Sequence, residues 1–171
     1  MDIKIDTPNE HFKFRVVGIV EHNNKYLVVK IADNNFYCLP GGHAEIGEDT
    51  ETAILREMQE ELGYTIKIKR LAGIAQNLFK GKNDKNFHEF SYYYIVEPEN
   101  KENVNPNDYE IIENDKGEFK KLVFKWLTLE EFRSVDFRPN FAKELLTQNK
   151  LLHVINKYDK EVVIDELTFN K

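Results

Sequence analysis

The chain has 171 residues, of which 41% are hydrophobic and 32% charged, with 8 glycines and 5 prolines. This composition excludes a disordered or fibrous protein, and it allows one domain with a real core, which we expect to span residues 1–171. The formal net charge of -6 argues against long nucleic acid or an anionic membrane as a partner, so that an anionic substrate would need a metal ion.

Localisation is indicated by the cysteine content and by the first residues. Cys38 is the only cysteine in the sequence, which excludes an intramolecular disulfide and favours a reducing compartment. Residues 1–12 lack the apolar run of a signal peptide, and no stretch approaches the roughly 20 apolar residues of a membrane span. We therefore expect a cytoplasmic protein.

The N-terminal part of the chain is predicted to form strands. Two β-branched runs within residues 12–31 flank the pair Asn23-Asn24, and asparagine tolerates the backbone of a tight turn, so we predict a β-hairpin. A short strand is predicted at residues 36–39, where Pro40 ends it and the pair Gly41-Gly42 opens a loop.

A helix is predicted from about Thr50 to Leu62. Asp49 is a good N-cap residue, and Gly63 supplies the left-handed conformation in which many helices end. Both ends of this helix are therefore marked in the sequence.

The second half of the chain is predicted to combine strands with polar connections. Aromatic and β-branched residues indicate strands at residues 64–74, 88–96 and 123–127. Residues 97–121 are polar and turn-rich, and they are too long for an ordinary connection in a compact domain. Two interpretations stay open for them, a mobile loop and a functional lid.

Two short helices and a hairpin are predicted near the C-terminus. The sequence Thr128-Leu129-Glu130-Glu131 is a capping box that starts a short helix, and Pro139 is predicted at the first position of a helix through residues 142–146. Residues 151–156 and 162–169 are predicted to pair as a hairpin. Strands before, between and after helices indicate an α/β fold with a mixed sheet sandwiched by helices.

The predicted helix at Thr50 to Leu62 carries an acidic face. Glu57, Glu60 and Glu61 share this face, since positions i, i+3 and i+4 are neighbours on a helix, and each exposed like-charged pair costs about 0.2–0.5 kcal/mol. Two explanations are open: a solvated face on which Arg56 pairs with Glu60, or a divalent cation held by carboxylate oxygens. An adjacent arc is expected to pack on the sheet and consists of Ile54, Leu55, Met58 and Leu62.

The two glycines before this helix favour the metal explanation. Gly41 and Gly42 let backbone approach closely, so that a main-chain carbonyl could complete the coordination sphere in front of the acidic face. A simple turn explains one glycine better than two. Glu48 precedes the helix and Arg56 lies two turns along it, so we expect a structural salt bridge that braces the loop against the helix.

The spacing of these residues resembles that of a known family. Five residues separate Gly42 from Glu48, seven separate Glu48 from the pair Arg56-Glu57, and the run closes with Glu60-Glu61 and Gly63. This is similar to the Nudix box of the Nudix hydrolases, here Gly42 to Tyr64, with one departure, because an aliphatic residue is usual at the last position. The resemblance covers roughly residues 12–147 and leaves 148–171 as a C-terminal extension. It implies a Nudix-type α/β/α sandwich with a mixed sheet.

The resemblance also implies a function and a set of site residues. The implied enzyme requires Mg²⁺ or Mn²⁺ and hydrolyses a nucleoside diphosphate linked to another moiety, such as a nucleoside triphosphate or an ADP-ribose-like nucleotide, to a nucleoside monophosphate and a phosphorylated product. Glu57 and Glu61 would be the principal metal ligands, Glu60 a further ligand or water positioner, and the Gly41 carbonyl a backbone ligand.

The general base is left open among five carboxylates. Glu60 and Glu61 lie within the box, whereas Glu118, Glu113 and Glu89 lie outside it. We favour Glu118, although a surface acid in a mobile loop explains this residue equally well.

Substrate recognition is assigned to three aromatic residues. Phe79, Phe87 and Tyr92 could stack on a base, although aromatic residues in and beside a strand are more often part of a core. The expected partner is a small nucleotide, with no long nucleic acid and no membrane, and a homodimer is possible.

Two other functions remain alternatives. One is hydrolysis of dinucleoside polyphosphates or RNA caps, against which the net charge of -6 and the lack of a basic stripe weigh. The other is a catalytically silent Nudix domain that binds a nucleotide and regulates a partner. Such a module has no need of three repelling carboxylates.

Overall fold

The computed structural model describes residues 1–115, 117–158 and 160–168, without the side chains of Lys82, Glu113, Asn114, Asp115 and Glu118. The strands are β1 (Lys4–Asp6), β2 (Glu10–His22), β3 (Lys25–Ile31), β4 (Gly41–His43), β5 (Ile66–Lys80), β6 (Asn86–Pro98), β7 (Tyr109–Asp115), β8 (Glu118–Leu127), β9 (Leu152–Lys157) and β10 (Glu161–Glu166). The helices are α1 (Thr50–Leu62), α2 (Leu129–Ser134) and α3 (Ala142–Thr147), with 3₁₀ turns at Lys82–Asp84 and Lys101–Asn103.

The strands form one mixed sheet in the order β10-β9-β5-β6-β2-β3-β8-β7, and β1 and β4 pair with β2. The pairs β2–β6 and β5–β9 are parallel, whereas neighbours such as β5–β6 and β3–β8 are antiparallel. The predicted C-terminal hairpin is confirmed, since β10 pairs with β9. Through the β5–β9 pair this hairpin extends the sheet that carries the rest of the chain.

Helices cover both faces of the sheet, so the predicted α/β/α sandwich is confirmed. Alternating residues of β2 belong to two separate cores, because successive side chains of a strand point to opposite faces. Val16 and Val20 pack with Ile54 and Met58 of α1. Ile19, on the other face, lies in a core that also contains Phe132 of α2 and Ala142, Leu145 and Leu146 of α3.

The local turn and cap predictions are confirmed. Asn23 and Asn24 have φ angles of 50° and 59°, which join β2 and β3 in a tight hairpin. Helix α1 begins after Asp49, whose carboxylate accepts hydrogen bonds from two backbone N–H groups, and it ends at Gly63 with a φ of 75°. The capping box at Thr128 is also present.

The second half of the region predicted as a loop or a lid, from Tyr109 onward, belongs instead to a β-hairpin. Residues 109–115 and 118–127 pair as β7 and β8, with β7 at the edge of the sheet. Tyr109 and Ile111 face a core, whereas the next residue, Ile112, is 73% exposed. The polar residues 99–108 precede this hairpin and include the 3₁₀ turn at Lys101–Asn103.

Four smaller predictions need correction. The glycine pair lies in β4, not in a loop, and the strand predicted at residues 36–39 is reduced to isolated pairs such as Val29–Cys38. Helix α3 begins at Ala142, so Pro139 lies in the preceding turn. Leu55 was expected in the core but is 43% exposed. Ala53 is buried instead, because the buried face of α1 is centred near Ile54.

Among the described residues, no helix is both long and apolar enough to cross a membrane.

Candidate active site

Glu57 rests directly on the backbone of β4. A Cβ atom added to Gly42 would lie 2.0 Å from Oε2 and 2.3 Å from Cδ of Glu57, so a side chain at this position would displace the carboxylate. The Glu57 side chain is only 13% exposed. Gly42 therefore makes room for a largely buried carboxylate between the helix and the strand.

Glu61 is fixed on the other glycine. The Gly41 N–H donates a hydrogen bond to Oε2 of Glu61 at 2.9 Å. Gly41 has a φ of +145°, and a Cβ atom there would meet the Val16 carbonyl oxygen at 2.3 Å, so glycine is required by the strand pairing itself. The two positions therefore require glycine for different structural reasons.

A partly buried ion pair braces α1 against the segment that precedes it. Arg56 donates from Nε to Oε1 and from Nη2 to Oε2 of Glu48, both at 2.8 Å, and it also donates to the His43 carbonyl at 3.0 Å. The Glu45 N–H donates to the same carboxylate at 3.1 Å. The hydrogen bond from Arg56 holds the pKa of Glu48 below its usual value, so the pair stays ionised.

Arg56 also contacts the acidic face itself. Its Nη1 donates to Glu57 at 2.8 Å and to Glu60 at 3.3 Å. Glu60 is 60% exposed, whereas Glu57 is 13% exposed. Glu57 and Glu61 therefore point toward β4, whereas Glu60 lies on the solvent side of α1. The reason is that Glu60 is farther around the helix from the buried residue Ile54.

The oxygen ligands that these residues offer are of the kind that a hard divalent cation prefers. Burial raises the pKa of Glu57, and the hydrogen bond and charge of Arg56 only partly oppose this shift. A bound cation would therefore stabilise the ionised form of Glu57. Across the described residues, no group of three His, Cys, Asp or Glu side chains is close enough to hold a metal by itself. Mg²⁺ needs no such group, since it is commonly bound by one or two carboxylates together with waters and substrate phosphates. Glu57, Glu61 and the Gly41 carbonyl supply oxygens of this kind.

The three aromatic candidates do not share one surface. Phe79 and Phe87 stack on each other, with ring centroids 4.9 Å apart and an interplanar angle of 17°. Tyr92 lies on the opposite face of β6, where it packs edge-on against Phe14 and Phe90 at the margin of the α1 core. The structure therefore separates Tyr92 from the other two rings, because its even position on β6 turns it toward α1.

The three general-base candidates outside the box lie in different environments. The backbone of Glu118 opens β8 opposite Asp115, but its side chain lies outside the described part of the structure, as does that of Glu113. Glu89 is 4% exposed and forms an ion pair with Lys13 at 2.7 Å.

Sequence reasoning missed the cations beside this site. Arg15 donates from Nη2 to the Gly41 carbonyl, and Lys13 lies two residues earlier on the same face of β2. The signal for both is the alternation Phe12-Lys13-Phe14-Arg15, because residues two apart on a strand point to one side. His43 lies beside Arg15 in register, and its Nε2 is buried without a hydrogen-bond partner in the described structure.

A three-layer sandwich whose acidic helix is braced against a diglycine strand defines the class of protein as a Nudix-type domain. The chain belongs to the NUDIX domain family, whose model matches residues 12–148. The match contains α1, α2 and α3 and ends before the C-terminal hairpin of β9 and β10.

Curated relatives match a central part of the chain. An ADP-ribose pyrophosphatase of Methanocaldococcus jannaschii is 37% identical over 90 residues, which are 51% of this chain and 52% of the relative. A MutT-like protein of Streptomyces ambofaciens is 35% identical over 63 residues, covering 37% of this chain and 41% of the relative. The chain spans about half the length, or less, of these relatives.

Solved structures share the fold over most of the chain. A MutT protein from Bacillus halodurans has a TM-score of 0.59 at 19% identity, with 90% of this chain and 97% of that chain covered. An ADP-ribose pyrophosphatase from Streptococcus suis has a TM-score of 0.54 at 14% identity, covering 84% and 98%. At these identities the likeness concerns the fold alone.

Proposed function

We propose that the protein is a pyrophosphohydrolase dependent on Mg²⁺ or Mn²⁺. Its substrate would be a nucleoside diphosphate linked to another moiety, with ADP-ribose and nucleoside triphosphates as the classes to test. The observation that carries this proposal is the seating of two carboxylates on two glycines, Glu57 on Gly42 and Glu61 on Gly41. Membership of the NUDIX family supports it, and relatives named ADP-ribose pyrophosphatase favour ADP-ribose as the first substrate.

The metal would be held by Glu57, Glu61 and the Gly41 carbonyl. When bound, it supplies charge neutralisation at the pyrophosphate oxygens and lowers the pKa of a water molecule. The other residues of the box preorganise these ligands. Arg56 fixes the orientation of Glu57 through a 2.8 Å hydrogen bond, and the Gly41 N–H fixes that of Glu61. Rigid placement of this kind reduces the entropy lost when the reacting groups are brought together.

A carboxylate of the chain would accept the proton of the attacking water. Glu60 is solvent-accessible at 60% exposure, and Glu61, on α1, accepts a hydrogen bond from the N–H of Gly41 in β4. Glu118 stays the candidate outside the box. Replacing each of the three in turn by glutamine distinguishes them, because loss of the base removes the acidic limb of the pH–rate profile, whereas loss of a ligand lowers the rate at every pH.

A hydrolysis panel tests the proposed function. ADP-ribose, nucleoside triphosphates, dinucleoside polyphosphates and sugar nucleotides are incubated with the native protein in Mg²⁺ and in EDTA. We expect hydrolysis in Mg²⁺ only, and we expect Glu61→Gln to lower kcat/KM at least as much as the roughly 10–100-fold that loss of a second-shell metal partner costs.

The matched control is Glu51→Gln, an exposed position in the first turn of the same helix. Its activity should stay near the native value. Full activity in Glu61→Gln would remove Glu61 from the mechanism, and silence of the native protein across the panel in Mg²⁺ would favour a nucleotide-binding module.

A further inference from the structure

A row of buried polar residues crosses the sheet on the face opposite α1. In the β2–β6–β5 register Lys13 lies opposite Glu89, and Glu89 lies opposite Asn77. Glu89 is 4% exposed and Asn77 is 6% exposed. Burying a charged or polar side chain costs free energy unless it is paired, so each of these groups needs a partner within the protein.

Glu89 holds two cations in place. Its Oε2 lies 2.7 Å from Nζ of Lys13 and 3.7 Å from Nη1 of Arg15, and its Oε1 accepts a hydrogen bond from the Ser91 hydroxyl at 3.1 Å. Burial alone would raise the pKa of Glu89, but Arg15 and then Lys13 more than offset it and hold the pKa below its usual value. An ionised carboxylate engaged in this way is a poor general base, and its geometry is that of a positioning residue.

The cluster carries a local positive charge. Two cations against one carboxylate leave one net positive charge, whereas the whole chain has a formal net charge of -6. The side chains of Lys13 and Arg15 are 18% and 22% exposed, so both are mostly ordered by the protein and still reach solvent. A preorganised pair of this kind suits a phosphate group, to which lysine and arginine donate charge-assisted hydrogen bonds.

The cluster connects the acidic helix with an aromatic platform. Arg15 donates to the carbonyl of Gly41, the residue whose N–H holds Glu61. On the other side, Nζ of Lys13 lies 6.0 Å from the ring centroids of both Phe79 and Phe87. The two cations therefore lie between the proposed site of hydrolysis and a pair of stacked rings.

We infer that Lys13 and Arg15, positioned by Glu89, form a subsite for the 5′-phosphate of a nucleoside whose base packs against the stacked pair Phe79–Phe87. The substrate class rests on the proposed function, since a nucleotide that enters the site with its pyrophosphate at the acidic helix places its nucleoside end beyond Arg15. Base stacking on an aromatic ring adds about 1–3 kcal/mol per base in other proteins and accepts any base, so the platform selects a nucleoside without fixing its identity.

Calorimetric titration in EDTA tests this subsite without metal or hydrolysis. The probes are AMP, adenosine and ribose 5-phosphate, and the native protein should bind AMP more tightly than either fragment. We expect Lys13→Met to weaken AMP binding at least about tenfold while adenosine binding stays unchanged, because only the contact with the phosphate is lost. Lys13→Arg, which keeps the cation, should restore most of the AMP affinity.

The matched control is Lys121→Met, which removes another lysine–glutamate pair, since Nζ of Lys121 lies 2.7 Å from Glu110. AMP binding should be unaffected there. For the positioning residue, Glu89→Gln should lower the affinity for AMP but not for adenosine, whereas a merely structural contribution of Glu89 would lower both together.

Three results would overturn the inference: native protein that does not bind AMP, AMP affinity unchanged in Lys13→Met, or AMP and adenosine affinities that fall in parallel in both variants. The failure of the proposed function is separate. Binding of AMP that depends on Lys13, together with a silent hydrolysis panel, would reject the enzyme and support the subsite.

Discussion

Gly42 is the residue on which the seating of Glu57 depends most directly. We predict that Gly42→Ala displaces the Glu57 carboxylate, since the new Cβ atom would lie 2.0 Å from Oε2. The carboxylate is the end of a flexible side chain, so the fold should survive while Mg²⁺ affinity and hydrolysis fall. Titration with Mg²⁺ and chemical denaturation of the variant measure the two effects.

Gly47→Ala is the control for this substitution. Gly47 has a φ of +86° with no atom within 4 Å of an added Cβ, so alanine strains the backbone without touching a carboxylate. It should lower the free energy of unfolding by about 1 kcal/mol and leave metal affinity unchanged. Equal Mg²⁺ affinity in both variants would show that the seating of Glu57 does not matter.

His43 gives the site a pH-dependent contribution to stability. Burial, followed by the charge of Arg15, lowers the pKa of His43 from 6.5 to about 4. Between these values the unfolded chain binds a proton that the folded protein does not, so the free energy of unfolding falls as the pH falls through this window. Over this pH window the free energy of unfolding of the native protein should fall more steeply than that of His43→Gln, as followed by urea denaturation. Parallel losses in the two proteins would contradict this assignment.

Helix α1 owes its start to a single side chain. The Asp49 carboxylate accepts hydrogen bonds from the N–H groups of Glu51 at 3.0 Å and Thr52 at 2.9 Å. We predict that Asp49→Ala lowers the free energy of unfolding by about 0.5–2 kcal/mol, whereas Asp49→Asn keeps most of it because asparagine also caps helices. Urea denaturation compares the two variants. An alanine variant as stable as the asparagine variant would show that the cap contributes nothing.

The elements that could be predicted from the sequence are those with local signals. Helix α1 and the β2–β3 hairpin were predicted because Asp49, Gly63 and the pair Asn23-Asn24 act on their own neighbours in the chain. Strand β4 could not be predicted, since its identity depends on pairing with Val16 and Val17, which lie far away in sequence. The same holds for β7, whose polar composition is typical of a loop until β8 is placed beside it.

In the candidate site, too, some features follow from local sequence and others depend on contacts between distant segments. The spacing of the box places Glu57 and Glu61 on one face of α1 and Glu48 within reach of Arg56, because helical geometry alone fixes these relations. Which face of β6 carries Tyr92 depends on the sheet register, which no local pattern specifies. The subsite around Lys13 depends on three strands at once and could not be assembled from the sequence.

At the scale of the whole molecule, the C-terminal strands belong to the same sheet as the family domain. Strand β9 pairs with β5, and Nδ2 of Asn156 donates to Oδ1 of Asn77 at 2.7 Å between two buried side chains. Asn77 is also the residue opposite Glu89 in the polar row. The segment beyond residue 148 therefore supports the strand on which the aromatic platform begins.

The most direct test of the account is the effect of Mg²⁺ on the free energy of unfolding of the native protein and of Glu57→Gln. A ligand that binds the folded state alone adds about 2.7 kcal/mol at a concentration of 100 Kd. We predict that millimolar Mg²⁺ stabilises the native protein and that Glu57→Gln loses most of this gain, while Glu51→Gln keeps it. Equal stabilisation of the native protein and Glu57→Gln, or no stabilisation of the native protein, would contradict a metal site between the acidic helix and the diglycine strand.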